Sequence, residues 1–193
     1  MSRRALLIIS LVVVAVVLTS VLVIVQRVLP RWSNRATTRA VAAASPTAPA
    51  APGRKIKARL FYVADDGMRL TSIERDIAYG EGAVEQAREI IAAQIVPVVE
   101  PLVSAIPPQT KLRAVFITEG GDAYVDLSAE VKSAHPGGTV NELLTVYTLV
   151  NALTANLPAV TAVQVLVEGK EVDTLSGHVD LRRPLAKNLA WVQ

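Results

Sequence analysis

Two aspartates in one short segment, Asp122-Ala-Tyr-Val-Asp126-Leu, are the most suggestive chemical pattern in this chain. In an extended strand, side chains alternate between faces, so Asp122, Tyr124 and Asp126 share one face while Ala123, Val125 and Leu127 share the other. Paired carboxylates can do acid/base work or hold a cation. The same alternation also describes an ordinary half-exposed strand. The chain has only two histidines, His135 in a Ser-Ala-His-Pro-Gly-Gly stretch and His178 in Ser176-Gly-His-Val-Asp180. A zinc site needs three or four convergent ligands, and with no cysteine these histidines would have to recruit Asp126 or Asp180 from a distance. Both therefore read first as solvated loop residues. Ser176 lies in no Gly-x-Ser-x-Gly elbow, and Gly120-Gly121 and Gly137-Gly138 lack the spacing of a phosphate-binding loop. No catalytic, metal or cofactor site is assigned. Asp122, Tyr124, Asp126, Asn151, His178 and Asp180 are the candidate partner or ligand contacts.

These residues need a scaffold, and local patterns supply one over 56–193. Ile56–Ala64 and Met68–Ala78 read as a hairpin around Asp65-Asp66-Gly67. Ala83–Val96 reads as a helix with Val84, Ala87, Ile91 and Ile95 on one face and Ile90 beside them. Leu102–Pro108 reads as a connection. Lys111–Thr118 and Ala123–Leu127 form a second hairpin. Thr139 with Glu142 three positions on predicts a capping box opening a helix that runs to about Asn156. Val160–Glu168 is a fifth strand, and a short strand is expected around His178–Leu181. The order β-β-α-β-β-α-β predicts an α+β domain: a largely antiparallel five-stranded sheet with two helices packed on one face.

Leu143 to Val167 is a charge-free run of 25 residues. Asn151, Asn156 and the break at Pro158 make a buried helix followed by a buried strand the better reading than a membrane span. A helix so poor in charge is expected to be covered on more than one side, or to leave room for a partner.

Charge separates this domain from what precedes it. Residues 1–55 carry eight basic side chains and no Asp or Glu; residues 56–193 carry twelve basic against seventeen acidic, a balance of −5. A net acidic domain without basic-aromatic interleaving is a poor nucleic-acid binder. Ala5–Gln26 is 22 residues without a charge, against the roughly 20 needed to span a bilayer. It exceeds the apolar region of a secretory signal, about 7–15 residues, and no cleavage site follows closely. The expectation is an uncleaved membrane anchor over 5–26, after a cytoplasmic stub at 1–4. A lipid anchor on cysteine is excluded, since the sequence has none. Residues 27–55 read as a basic collar and an Ala/Pro-rich disordered tether, spanning roughly 25 Å as a flexible coil.

From Arg59 to Leu185 the chain resembles the GerMN domain, the sporulation and spore-germination module of bacterial envelope proteins. The pieces are Leu60-Phe-Tyr62, Ser104-Ala-Ile-Pro107 with Thr110, Ala123-Tyr-Val-Asp-Leu-Ser128, Asn141 to Leu153, Val163-Gln-Val-Leu-Val-Glu-Gly169 and Gly177-His-Val-Asp-Leu181. Each is weak alone; their order across nearly the whole domain carries the match. The resemblance implies a non-catalytic α/β module outside the cytoplasm, carried on a membrane anchor or a lipoprotein signal. The apolar run, the tether and the charge-poor helix add the expectation of an inner-membrane protein with an envelope-protein or cell-wall partner. The arginines flanking the apolar run, four after it and two before, favour the opposite orientation. The function expected is an interaction module in envelope or sporulation-type assembly; a wall hydrolase or a small-ligand or cation-binding domain is the alternative.

Overall fold

Strands β1 (Lys55–Val63) and β2 (Leu70–Ala78) pair antiparallel over their full length. Their turn closes as expected from Asp66, whose Oδ1 accepts from Met68 N at 2.9 Å and Arg69 N at 3.1 Å. The computed structural model describes residues 53–193. The stub, the apolar span and nearly all of the collar and tether lie outside the described residues. Among those described, no helix is long and apolar enough to cross a membrane.

Helix α1 (Gly82–Ile95) follows, then β3 (Leu112–Ile117) and β4 (Asp122–Leu127), a four-residue helix α2 (Glu130–Ser133) and the long α3 (Thr139–Asn156). Strand β5 (Ala162–Val167) and the two-residue strands β6 (Lys170–Glu171) and β7 (Leu185–Ala186) complete the chain. The α+β class stands, but the single antiparallel sheet does not. Among the described residues there are two sheets: the β1-β2 hairpin, and a mixed one ordered β3-β4-β5-β6 with β7 also on β5. Strand β4 runs parallel to β5. The reason is the crossover: the chain leaves β4, passes through α2 and α3, and returns at the end from which it started. The element order is compatible with either pairing. The strand expected at 178–181 is absent; the short strands that form instead, β6 and β7, both pair with β5.

The two sheets stay separate because side chains, not a strand, cover the free edge of β1. Outward-facing backbone groups there would cost free energy if buried unpaired. Gln94 of α1 accepts from Phe61 N at 2.9 Å and donates to Phe61 O at 2.7 Å. Asn156 of α3 does the same to Arg59, accepting and donating at 2.8 Å. Val63 N donates to Val103 O at 2.8 Å. These amides also explain why the buried face of α1 differs from the apolar stripe. Gln86, Ala87, Ile90, Ile91 and Gln94 face inward, while Val84 is 40% exposed.

Helix α3 packs against β1, α1, β5 and β7, so it is covered by both sheets. Leu144, Val146, Leu149, Val150 and Leu153 are all buried there. This accounts for the charge-free run beginning at Leu143 as helix interior and core strand.

Candidate functional site

Strand β4 turns Ala123, Val125 and Leu127 fully into the core and leaves Asp122 and Tyr124 half-buried on the other face, as alternation requires. Tyr124 lies between Phe116 on β3 and Gln164 on β5. Asp126 is different: only 6% of it is exposed. Its Oδ1 accepts from Gly169 N at 2.7 Å and its Oδ2 from Arg113 Nε at 3.1 Å. Arg113 sits at the β3 bulge and also donates to Glu168, whose other oxygen accepts from Ala129 N at 3.1 Å. Glu168, and secondarily Asp126, hold the Arg113 guanidinium pKa above its ordinary value. Glu168 and Gly169 form the two-residue turn between β5 and β6, both at positive φ, 54° and 74°. A glutamate is unusual there. The Arg113–Asp126–Glu168 cluster holds that turn in place. Asp122 stands four residues back along the strand, about 13 Å away, so the two aspartates do not converge.

The second cluster surrounds Glu142. The expected capping box does not form: Gly138 occupies the N-cap position and no side chain caps the helix. Glu142 is fully buried and turned away from its own helix end. It accepts from Leu175 N at 2.7 Å, from Ser176 Oγ at 2.8 Å and from His178 N at 2.8 Å. Burial pushes its pKa up, but hydrogen bonds from Ser176, His178 and Leu175 outweigh this and hold it below the ordinary glutamate value. His178 thus contributes its backbone, while its ring is exposed. Asp180, in the same loop, accepts from Arg182 N, Nε and Nη2 at 3.1, 2.9 and 2.7 Å. Those bonds hold its pKa well below the carboxylate range.

His135 is not simply solvated. Its Nδ1 accepts from Gly137 N at 3.0 Å, which leaves Nε2–H to donate to Thr145 Oγ1 at 3.2 Å. The Thr145 hydroxyl donates in turn to Ala105 O at 2.6 Å. Burial lowers the histidine pKa below its ordinary value, and the Glu142 charge and the Asn141 backbone offset this only in part. Asn151 is fully buried and clamps the C-terminal segment, donating to Asn188 O at 2.9 Å and accepting from Asn188 N at 3.1 Å. The six candidate residues are therefore distributed: Asp122 and Tyr124 on one sheet face, Asp126 in a turn clamp, Asn151 under the tail, and His178 and Asp180 in one loop. Among the described residues no three His, Cys, Asp or Glu side chains are grouped to hold a metal ion.

A concave feature lies elsewhere, in a segment that includes Leu102–Pro108, read from sequence as a connection. After α1 the chain forms a loop over 96–109 that encloses a cleft of about 320 Å³. Ile95, Val98, Leu102, Val103 and Ile106 line it, with Pro97, Pro107 and Pro108. Val96, Val99 and Val103 are 51%, 83% and 55% exposed. The loop is pinned at its far end by the Val63–Val103 bridge and by Thr145 on Ala105 O. The signal available in the sequence was Val96-Pro-Val-Val-Glu-Pro-Leu-Val103, too apolar for a solvated loop and too proline-rich for an element.

The fold is that of an α+β module with a helix packed against strands of two small sheets. The chain belongs to the Germane family, described as sporulation and spore germination, whose profile matches residues 59–173, more than half of its length. Among solved structures it is similar to the first GerMN domain of the sporulation protein GerM from Bacillus subtilis, at 19% identity and a TM-score of 0.53, covering 68% of this chain and 97% of that one. The tandem GerMN domains of the same protein match at 18% identity and a TM-score of 0.51, covering 70% of this chain; this chain spans 46% of that structure. A crystal structure of a Clostridium perfringens protein described as a lipoprotein matches at 23% identity and a TM-score of 0.49, covering 69% of this chain and 88% of that one. No curated protein matches the chain.

Proposed function

We propose that this chain is a non-catalytic interaction module of the bacterial envelope, anchored in the inner membrane by residues 5–26, with its domain outside the cytoplasm. Its work is the assembly of an envelope or sporulation-type complex. The observation that carries this reading is a division of labour. Asp126, Glu142 and Asp180 are engaged in holding loops, and His135 is tied to Thr145 and Gly137. Exposed aliphatic side chains cluster in sequence at Val96, Val99 and Val103. Family membership, and the description of a similar protein as a sporulation protein, support the envelope setting. For the Asp122–Asp126 pair a hydrolase reading meets a geometric obstacle: their backbones stand about 13 Å apart along the strand, whereas paired carboxyl groups in glycosidases lie roughly 5–9.5 Å apart.

The test is complementation of a strain lacking the chain. Val99→Asp with Val103→Asp is expected to fail while remaining folded and abundant, because both side chains are already exposed. Asp122→Asn with His178→Gln is expected to complement fully. Loss of a true general acid or base costs about 10²–10⁴ in rate, so a null phenotype from the second pair would hand the site to catalysis. Orientation has its own check. Protease added to cells with a permeabilised outer layer should cut between Ser45 and Pro52; cleavage seen only after the inner membrane is opened would reverse the topology.

A further inference from the structure

A free strand edge is a row of alternating N–H donors and C=O acceptors, a template for another extended chain. The β1-β2 hairpin has two edges. On β1 the outward groups of Arg59 and Phe61 are taken by the amides of Asn156 and Gln94. The register then turns Thr71, Ile73, Arg75 and Ile77 of β2 toward β1, and Leu70, Ser72, Glu74, Asp76 and Ala78 outward. Both ends of this outer edge are closed. Leu70 N donates to Trp191 O at 2.6 Å and Leu70 O accepts from Gln193 N at 2.9 Å, so the tail begins a third strand, parallel to β2. At the other end Ala78 O accepts from Gln86 Nε2 at 3.3 Å. Between them, among the described residues, the N–H and C=O groups of Ser72, Glu74 and Asp76 have no protein partner. Glu74 and Asp76 are exposed and Ser72 is half-buried.

The gap is about 13 Å long, the length of a short strand. On its α1 side lies a hollow of about 210 Å³ lined by Leu60, Ile77, Ala93 and Val96 among others. Alternate side chains of an incoming strand would fall on that side, over aliphatic walls. A second copy pairing β2 with β2 antiparallel about a two-fold fits poorly. Matching the open residues to themselves sets Glu74 against Glu74 and Ser72 against Asp76; a shift of two sets Glu74 against Asp76 twice. Like charges directly opposite destabilise a strand pair. The remaining occupant is an extended segment of a different protein, held by main-chain bonds with a side chain in the hollow. We propose, on the premise of the interaction-module reading, that the Ser72–Asp76 edge of β2 takes a short β-strand of a partner protein, with an apolar residue directed at Leu60, Ile77, Ala93 and Val96.

The experiment is photocrosslinking in cells, with a benzophenone amino acid replacing Asp76 in the full chain. The expected product is a protein adduct whose crosslinked segment alternates apolar and polar residues. Glu74→Pro removes an N–H that the hairpin does not use and should lower the yield about tenfold, while Glu74→Ala, which keeps that N–H, should leave it unchanged. Ser72→Pro, at the next outward position, serves in its place if Glu74→Pro alters the melting. A measurement without variants completes the test: the captured segment, added as a synthetic peptide to the full chain in detergent, should slow amide exchange at Ser72, Glu74 and Asp76. No adduct, an adduct of twice the chain's own mass, a yield indifferent to proline or lowered equally by Glu74→Ala, or unchanged exchange would each overturn the proposal. Complementation tests the premise separately. If Val99→Asp with Val103→Asp fails to complement while the adduct is indifferent to proline, the interaction-module reading stands and the strand edge falls.

Discussion

A full-length chain carrying Val150→Asp is expected to lose its cooperative melting transition and its near-ultraviolet circular dichroism. Val150 is fully buried in the middle of α3, the helix that packs against strands of both sheets. A carboxylate placed there has no cation and no donor, and burying an unpaired charge costs several kcal/mol even after relaxation. Against a total stability of about 5–15 kcal/mol for a domain, that loss is decisive. Val150→Ala separates charge from volume: it removes two methyl groups, costs about 1–3 kcal/mol and should leave a folded protein with a lower Tm. Leu143, one turn from the helix start, is only half-buried. Leu143→Asp can turn its carboxylate to water and is expected to destabilise far less. Wild-type melting in Val150→Asp would show that α3 is not the centre of the core.

The second large effect is expected at Glu142. Glu142→Ala strands three donors that now end on a carboxylate, Leu175 N, Ser176 Oγ and His178 N. Hydrogen bonds to a charged group are worth about 1.5–3 kcal/mol each. Since the freed loop can recover part of this from water, a net loss of about 3–5 kcal/mol is expected, together with faster amide exchange at 175–178. Acid should reproduce it. The folded carboxyl binds its proton more weakly than the unfolded one, so the stabilisation is complete above the ordinary glutamate value of 4.5 and is lost as pH falls toward the folded pKa. Glu142→Gln removes that titration and should flatten the fall in stability below pH 4.5. An acid limb as steep in Glu142→Gln as in the wild type would mean that other carboxylates carry it.

Both predictions concern one helix that was legible in part. Its extent followed from the Gly137-Gly138 break, the charge-free run and Pro158, all local signals. The role of Glu142 did not. Thr139-x-x-Glu142 matches a capping box, yet the carboxylate serves a loop more than thirty residues later in the chain. A carboxylate satisfies whichever donors packing brings to it, and a local motif names only the nearest ones. Gln94 and Asn156 show the same limit. Nothing in their local sequence names a partner, and each side-chain amide takes the place of a strand at the edge of β1. His135 read as a solvated loop residue because its partners, Thr145 and the chain at Ala105, are set by how α3 docks.

The sequence by itself determined what depends on neighbours along the chain: the β1-β2 hairpin from Asp66-Gly67, the inward face of β4 from strict alternation, the length of α3, and the acidic balance of the domain. Only the tertiary structure decided that β4 and β5 run parallel, that two sheets form instead of one, that Asp126 clamps a turn, and that residues 96–109 wrap a cleft. The physical reason is one of range. Turns, periodicity and propensity act over a few residues. Strand partners, carboxylate partners and concavities are settled by which surfaces exclude water from one another, and those surfaces come from segments far apart in the chain.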